Sequence, residues 1–237
     1  MDVNLDLAQL APGERDEVQA YRRYHARRFA VLCETVATLV PPSSARILDV
    51  GPNLQTALLR ESLPHVRVDT MGYAHPLVPP RERELHIELD LNEAAGNARD
   101  PSDQRYDVVV LAEVIEHLHV PPELVLGYLA SWLQPAGTLL VQTPNAVALH
   151  KRLRMLVGFN PSEPIRMSRQ NPGHFHEYTL SELDSAAQRA GLRGVGRNHR
   201  QLLRGADRPR TRVRGARTRS AAEPAARHHS LVSAPVG

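Results

Sequence analysis

The segment Arg46-Ile47-Leu48-Asp49-Val50-Gly51-Pro52-Asn53 joins an apolar run to a turn sequence. A short apolar run bounded by Gly and Pro is typical of a buried strand. Gly51 lets the main chain approach a ligand closely, and Asn53 tolerates a left-handed conformation. The segment therefore predicts a buried strand that ends in a ligand-binding turn, with the carboxylate of Asp49 facing that turn.

Four further apolar runs follow this strand, and helical segments lie between them. The runs cover residues 66–69, 85–89, 106–111 and 138–142, and the helical segments cover 54–63, 122–133 and 179–190. Strands that alternate with helices favour a parallel sheet covered on both faces. The predicted fold class is α/β, with a doubly wound, mostly parallel sheet.

Length and composition allow one domain with an appendage at each end. The chain has 237 residues, of which 42% are hydrophobic, enough for one sizeable core. Residues 14–40 carry apolar side chains at helical spacing. We expect an N-terminal helical segment over residues 1–43, one domain over 44–197 and an unstructured tail over 198–237.

The tail differs sharply in charge from the rest of the chain. Residues 193–237 contain 11 Arg against Asp207 and Glu223, a balance of 11 − 2 = +9, whereas the whole chain carries +3. The basic residues lie in a segment without apolar periodicity, so we expect no nucleic-acid partner for the domain itself. The alternative for the tail is a basic arm that binds nucleic acid or acidic partners. The tail's Arg, Pro, Ala and Gly content also fits a shifted reading frame, so we expect a sheet that could lack its last strands.

Cysteine and hydropathy patterns bear on the compartment. Cys33 is the only cysteine, so a disulfide framework is excluded. The chain has no uninterrupted apolar stretch of the ~18 residues that a membrane helix needs, and its first residues do not resemble a signal peptide. We expect a cytoplasmic protein without a membrane span.

Three successive strands are predicted to end in an aspartate, namely Asp49, Asp69 and Asp90. In an open parallel sheet the ligand lies at the carboxyl ends of the strands, near the point where strand order reverses. An acid 20 residues after Asp49 suits the two hydroxyls of a ribose, and Asp90 with the apolar Leu91 suits an adenine ring. Each aspartate could instead cap a turn. The set predicts a cofactor that contains adenosine.

An ordered series of motifs extends this pattern along the chain. It comprises Leu48-Asp49-Val50-Gly51, Asp90-Leu91-Asn92, Tyr106-Asp107, Glu116-His117-Leu118, Pro135-Ala136-Gly137-Thr138, Thr143-Pro144-Asn145 and His174-Phe175-His176-Glu177-Tyr178-Thr179. The series resembles the class I S-adenosylmethionine-dependent methyltransferases over about residues 21–192. The subgroup it resembles most contains the ubiquinone-biosynthesis O-methyltransferases and related small-molecule methyltransferases.

The resemblance implies a role for each matching residue. It places Asp49, Gly51 and Asn53 at the methionine end of S-adenosylmethionine, Asp69 at the ribose, Asp90 and Leu91 at the adenine, and Ala112 and Glu113 beside the sulfonium. One departure concerns the first turn, where the family usually has a second glycine and this chain has Pro52-Asn53.

The resemblance also implies an acceptor site. His117 is the candidate general base, because an imidazole titrates near neutrality, and His174 and His176 are candidate substrate contacts. Glu113, Glu116 and His117 could together bind a divalent ion, but we expect no metal, since a Glu-His pair more often stabilises a loop. The N-terminal helix carries Tyr24, His25 and Arg28, which either cover the cofactor as a lid or lie on an exposed polar face.

The sequence therefore predicts a methyltransferase that acts on a small-molecule acceptor, with O-methylation favoured by the resemblance. Two alternatives remain. A Rossmann dehydrogenase is disfavoured because Gly51 is not followed by the rest of the Gly-x-Gly-x-x-Gly pattern. A non-catalytic remnant of the fold, which binds cofactor or a partner without turnover, is favoured if the last strands are missing.

Overall fold

The computed structural model describes residues 12–41, 45–94, 96, 104–168, 172–197 and 201–205. Within these residues, seven strands form one sheet in the order β3-β2-β1-β4-β5-β7-β6. They are β1 (Arg46–Val50), β2 (Arg67–Gly72), β3 (His86–Glu88), β4 (Tyr106–Ala112), β5 (Leu133–Gln142), β6 (Leu192–Arg197) and β7 (Gln201–Gly205). Strands β1 to β5 are parallel to one another, which confirms the predicted α/β class and mostly parallel sheet.

Helices cover both faces of the sheet. In the described part of the chain they are α1 (Pro12–Tyr24), α2 (Ala26–Leu39), α3 (Leu54–Ser62), α4 (Pro122–Ser131), α5 (Leu149–Leu156) and α6 (Leu180–Arg189). Because side chains alternate along a strand, Ile47 packs with α2 and α3, whereas Leu48 and Val50 pack with α4 and α6. None of the described helices is long and apolar enough to cross a bilayer.

The N-terminal segment differs in detail from the single predicted helix. It forms two helices that meet at His25, where φ is −98° and ψ is 9°. The main-chain hydrogen bonds from His25 to Tyr21 and from Phe29 to His25 continue across the junction. The ring of His25 is buried against Tyr21 and Phe29, so packing fixes the bend between the helices.

The expectation that the sheet lacks its last strands is wrong. Strand β7 pairs antiparallel with β5, and β6 pairs antiparallel with β7 at the edge of the sheet. Strand β6 forms the edge, where glycine and charge are tolerated, and it lies within the predicted domain. Only β7 falls in the segment that was predicted to be an unstructured tail. The sheet extends to Gly205, beyond the predicted domain end at residue 197, and the tail from residue 206 lies outside the described residues.

Strand order reverses between β1 and β4. Strands β2 and β3 follow β1 on one side, and β5 follows β4 on the other. The connections after β1 and β4 leave the sheet in opposite directions at this point, so a crevice opens at the carboxyl ends of the two strands. This crevice is the place where the fold offers a ligand site.

Candidate functional site

Gly51 brings the turn after β1 against the segment after β4. Its φ is +76°, and a side chain there would place Cβ 2.5 Å from Cγ2 of Val114. Its N–H donates to the carbonyl of Met71 on β2 at 2.8 Å. Only glycine suits both this backbone conformation and this approach, so the turn after β1 packs closely against the segment after β4.

A second glycine, Gly72, lies beside the turn after β1. It ends β2 with φ of +124°, and a Cβ there would lie 3.4 Å from the main-chain nitrogen of Gly51 and 3.5 Å from Cδ of Pro52. The positive φ, rather than crowding, therefore requires glycine at this position. In the sequence Gly72 directly follows an apolar run, a signal that the prediction of the turn did not include.

Asp49 and Asn53 hold the first turn of α3. The carboxylate of Asp49 is fully buried, and it accepts hydrogen bonds from Gln55 Nε2 at 3.0 Å and Thr56 Oγ1 at 2.6 Å. Asn53 caps α3 by accepting from the main chain of Gln55 at 2.8 Å. Burial raises the pKa of Asp49 to about 7, although the hydrogen bonds that its carboxylate accepts from the side chains of Thr56 and Gln55 oppose the rise. Asp49 thus supports the turn from beneath it.

Asp69 does not lie at a strand end, so the predicted end of β2 is wrong. The strand continues to Gly72, and Asp69 lies in its middle, opposite Leu48. Its fully buried carboxylate accepts hydrogen bonds from the side chains of Arg46, Arg67 and Tyr106 and from the main chain of Leu85. The predicted ribose ligand is therefore saturated within the sheet, and the structure does not bring it to the crevice.

This setting predicts a role for Asp69 in stability. Asp69→Asn removes the negative charge that two arginines share, and we expect it to lower the free energy of unfolding by about 2 kcal/mol. Urea unfolding measures the change, and titration with S-adenosylhomocysteine checks that the folded variant binds as the wild type does. Unchanged stability with weakened binding would restore the ribose role to Asp69.

Asp90 and Leu91 lie just beyond β3, as predicted. Asp90 accepts hydrogen bonds from the hydroxyl of Tyr73 at 2.6 Å and from the main chain of Asn92 at 3.0 Å. Leu91 is buried next to them. Tyr73 directly follows β2, so a phenol occupies the strand end where the sequence analysis expected a carboxylate.

Ala112 and Glu113 form the end of β4 and carry an unusual backbone. Ala112 is buried, and Glu113 has φ of +57°, which costs a non-glycine residue about 1–3 kcal/mol and is found mainly at functional sites. The carboxylate of Glu113 accepts from Arg28 Nη1 at 2.8 Å, and Arg28 Nη2 donates to the hydroxyl of Tyr21 at 2.9 Å. Helix α2 is thereby joined to the end of β4 through Arg28. The sequence indicated Arg28 only as one residue of a possible lid.

Glu116 is a fully buried carboxyl group in the next turn of the chain. One oxygen accepts from Thr143 Oγ1 at 2.9 Å, and within the described residues the other has no hydrogen-bond partner. Burial, together with the charge of Glu113, raises the pKa of Glu116 well above its usual range. The main-chain carbonyl of Glu116 accepts from the N–H of Phe175 at 2.8 Å, which ties the segment before α6 to this turn.

His117 is held in one tautomer. Its Nδ1 lies 2.9 Å from the carbonyl oxygen of Gly173. A carbonyl can only accept, so Nδ1 carries the hydrogen and Nε2 keeps its lone pair in the neutral ring. Burial lowers the pKa of His117 from its usual 6.5, which favours the neutral ring at neutral pH. The geometry gives His117 the properties of a general base.

The two predicted substrate residues have different surroundings. The ring of His174 lies 4.8 Å from that of His117, and its two nitrogens face the carboxylates of Glu177 at 2.9 Å and Glu163 at 3.3 Å. His176 is exposed and lines a separate cavity of about 450 Å³ at the starts of α4 and α6. The structure thus brings His174, but not His176, to His117.

Glu116, His117 and His174 also form a group that could hold a metal ion. One ligand atom from each lies within 4.8 Å of the others. The ligand set weighed from the sequence contains Glu113 in place of His174, but Glu113 pairs with Arg28. Both nitrogens of His174 already face carboxylates. The expectation of a site without metal stays a prediction.

Comparison with known proteins places the chain in a family. A family model described as a methyltransferase domain matches residues 24–196. Trans-aconitate 2-methyltransferase from Variovorax paradoxus is 29% identical over 151 residues, which cover 61% of this chain and 57% of that protein. The chain therefore spans just over half the length of this curated relative.

Solved structures share the fold at low sequence identity. DesVI from Streptomyces venezuelae is 15% identical with a TM-score of 0.54, over 81% of this chain and 98% of that one. The CcbJ methyltransferase from Streptomyces caelestis is 17% identical with a TM-score of 0.53, over 76% and 89%. An O-methyltransferase family protein from Burkholderia thailandensis is 19% identical with a TM-score of 0.52, over 80% and 60%.

The family model covers most of the sheet described above, including the strand ends at the crevice. The structural likenesses agree with it in fold. The ubiquinone-biosynthesis subgroup stays a prediction. The chain belongs to the class I S-adenosylmethionine-dependent methyltransferase family.

Proposed function

We propose that this methyltransferase binds S-adenosylmethionine in the crevice between β1 and β4 and methylates an oxygen atom of a small molecule. The observation that carries the proposal is the ion pair of Arg28 and Glu113 beside the turn at Gly51. A guanidinium next to a carboxylate is complementary to the carboxylate and ammonium groups of a methionine end.

The other strand ends fit the remainder of such a cofactor. Tyr73 and Asp90 offer a hydroxyl and a carboxylate to the ribose and to the adenine amine, and Leu91 offers an apolar contact to the ring. Asp49 and Asn53 hold the turn in place through hydrogen bonds to residues of α3. Asp49 does not act through an exposed charge, because its carboxylate is fully buried. Asp69 has no part in this site.

In the proposed reaction the cofactor supplies an electrophilic methyl group on a sulfonium. Nε2 of His117 accepts the proton of an acceptor hydroxyl, while the carbonyl of Gly173 holds Nδ1–H in place. Positioning of the acceptor and exclusion of water supply the rest of the rate. His174 orders the acceptor side through its contact with His117, and His176 is proposed only as a peripheral substrate contact.

The alternative of a non-catalytic remnant loses the observation that motivated it. That alternative required a sheet without its last strands, and β6 and β7 are both paired in the sheet. The acceptor side of the fold is therefore present in the described residues.

Calorimetric titration of the full chain with S-adenosylhomocysteine tests the cofactor proposal, and NAD serves as the control ligand. We expect micromolar binding of the first and none of the second. Transfer of labelled methyl to phenols, sugars and trans-aconitate then tests the acceptor. Folded protein that binds no S-adenosylhomocysteine contradicts the cofactor proposal, and transfer only to nitrogen or carbon acceptors contradicts O-methylation.

Gly51→Ala tests the turn directly. The added Cβ meets Val114, and the φ of +76° strains an alanine, so we expect S-adenosylhomocysteine affinity to fall on the order of 30-fold. Gly158→Ala is the matched control, because Gly158 has φ of +82° with nothing within 4 Å of its Cβ position. The double variant with Val114→Ala should regain part of the loss. Equal effects of the Gly51 and Gly158 substitutions would refute this role for the turn.

A further inference from the structure

Helix α5 and the residues after it expose large apolar side chains. We call residues 149–167 the α5 patch. Leu149 is 72% exposed, Leu156 81%, Val157 70% and Phe159 63%. Apolar side chains scattered singly over a surface need no explanation, but a run of them at successive positions marks a surface that contacts something else.

The α5 patch also carries unpaired positive charge. Glu163 is its only acid, against one lysine and three arginines, and Arg166 pairs with it at 2.7 Å. Arg152 and Arg154 lie exposed on α5, and their guanidinium groups have no ion-pair partner within the described residues. Two arginines without an ion-pair partner in the described part of the chain therefore lie among the exposed apolar side chains.

The inner side of α5 connects the patch to the proposed catalytic site. Lys151 is buried and pairs with one oxygen of Glu177. The other oxygen of Glu177 faces His174 Nδ1 at 2.9 Å, and the ring of His174 contacts His117. The patch is thus the outer surface of the segment that borders the acceptor side.

We infer that the α5 patch docks on the surface of a bilayer that contains anionic phospholipid. Basic amphipathic helices lie in the interface plane, with apolar side chains in the outer acyl region and cations at the phosphates. Leu156, Val157 and Phe159 fill the first role, and Arg152 and Arg154 fill the second. A second copy of the chain fits less well, because a two-fold contact joins two patches that each contain one acid against four basic residues, so it would bury net positive charge. The inference extends beyond the proposed function, and its test does not depend on methyl transfer.

A tryptophan placed in the patch reports insertion directly. The chain has one tryptophan, Trp132, which is buried, so Phe159→Trp adds a distinct exposed probe. We expect acyl-brominated phosphatidylglycerol in phosphatidylcholine vesicles to quench the Phe159→Trp variant. Wild-type protein should not be quenched, nor should the control Leu124→Trp on α4, where Leu124 is 45% exposed.

A second comparison separates the patch from the basic tail. In the Phe159→Trp background, Arg152→Gln with Arg154→Gln should lower vesicle affinity about 30-fold, whereas the control pair Arg81→Gln with Arg83→Gln should not change it. Vesicle sedimentation without quenching at position 159 means adsorption by the tail and overturns the inference. A dimer that Leu156→Glu dissociates, with no quenching by vesicles, overturns it in favour of a second copy.

Discussion

His117→Asn should lower kcat for a hydroxyl acceptor by about 100- to 10,000-fold and leave S-adenosylhomocysteine affinity unchanged. The amide nitrogen of asparagine can donate to the carbonyl of Gly173, as Nδ1 of His117 does at 2.9 Å. The variant therefore keeps the hydrogen bond that holds this turn and loses the lone pair that accepts the proton. Steady-state rates with labelled methyl donor measure the effect.

The control for this prediction is the neighbouring His119. It is exposed, and its ring meets that of Phe175 edge to face with centroids 5.6 Å apart, so His119→Asn alters a neighbouring position without removing the proposed base. We expect nearly wild-type kcat from it. A His117→Asn variant that loses cofactor affinity in proportion to kcat would show that His117 only supports the fold. Unchanged methylation of a carboxylate acceptor would show that the reaction needs no base.

The pH dependence of the rate gives an independent readout of the same group. Burial lowers the pKa of His117 below 6.5, and the neutral ring is the active form. The rate with wild-type protein should therefore rise with pH through a value below 6.5 and stay level at neutral pH. This acid limb should be absent from the His117→Asn variant.

Local signals sufficed for the parallel sheet and for part of the site. The apolar run at residues 46–50 and the glycine after it fix a strand and a tight turn, and both lie where the pattern placed them. Glu113 likewise follows β4 directly, and Asp90 lies two residues beyond β3. These features depend on residues adjacent in sequence, so periodicity and turn chemistry predict them.

Asp69 shows where local signals fail. An aspartate at the end of an apolar run looks like a strand terminus, yet β2 continues past it. Its hydrogen-bond donors include Arg46 on β1 and Tyr106 on β4, which are 23 and 37 residues away. A buried carboxylate with distant cationic partners is stable inside a strand, and only the tertiary structure reveals those partners. The same holds for Arg28, which meets Glu113 across 85 residues.

The expectation that the sheet lacks its last strands is wrong for a different reason. Strand β7 lies between β5 and β6, and only β6 is at the edge of the sheet, where glycine and arginine cost little. The pairing with β5 depends on an antiparallel return that no local pattern signals. Composition alone therefore could not distinguish β7 from the tail that follows it.

Arg28→Met should weaken S-adenosylhomocysteine binding by about 30- to 100-fold, because it removes the charge proposed to meet the methionine carboxylate. Methionine keeps an apolar side chain of similar length and removes the guanidinium group, whose central carbon lies 5.1 Å from the centroid of the Phe29 ring. Calorimetric titration of the full chain measures the loss. Arg189→Met is the control, since Arg189 forms an exposed ion pair with Glu123 at 3.1 Å on another surface.

A second ligand separates recognition of the cofactor from simple anchoring of α2. Methylthioadenosine has the adenosine and sulfur of the cofactor but lacks the charged amino-acid end, so its affinity should change less than about twofold in Arg28→Met. If Arg28 only held α2 in place through Glu113, both ligands would lose affinity together. The ratio of the two losses therefore decides whether this ion pair binds the cofactor or closes the helix over it.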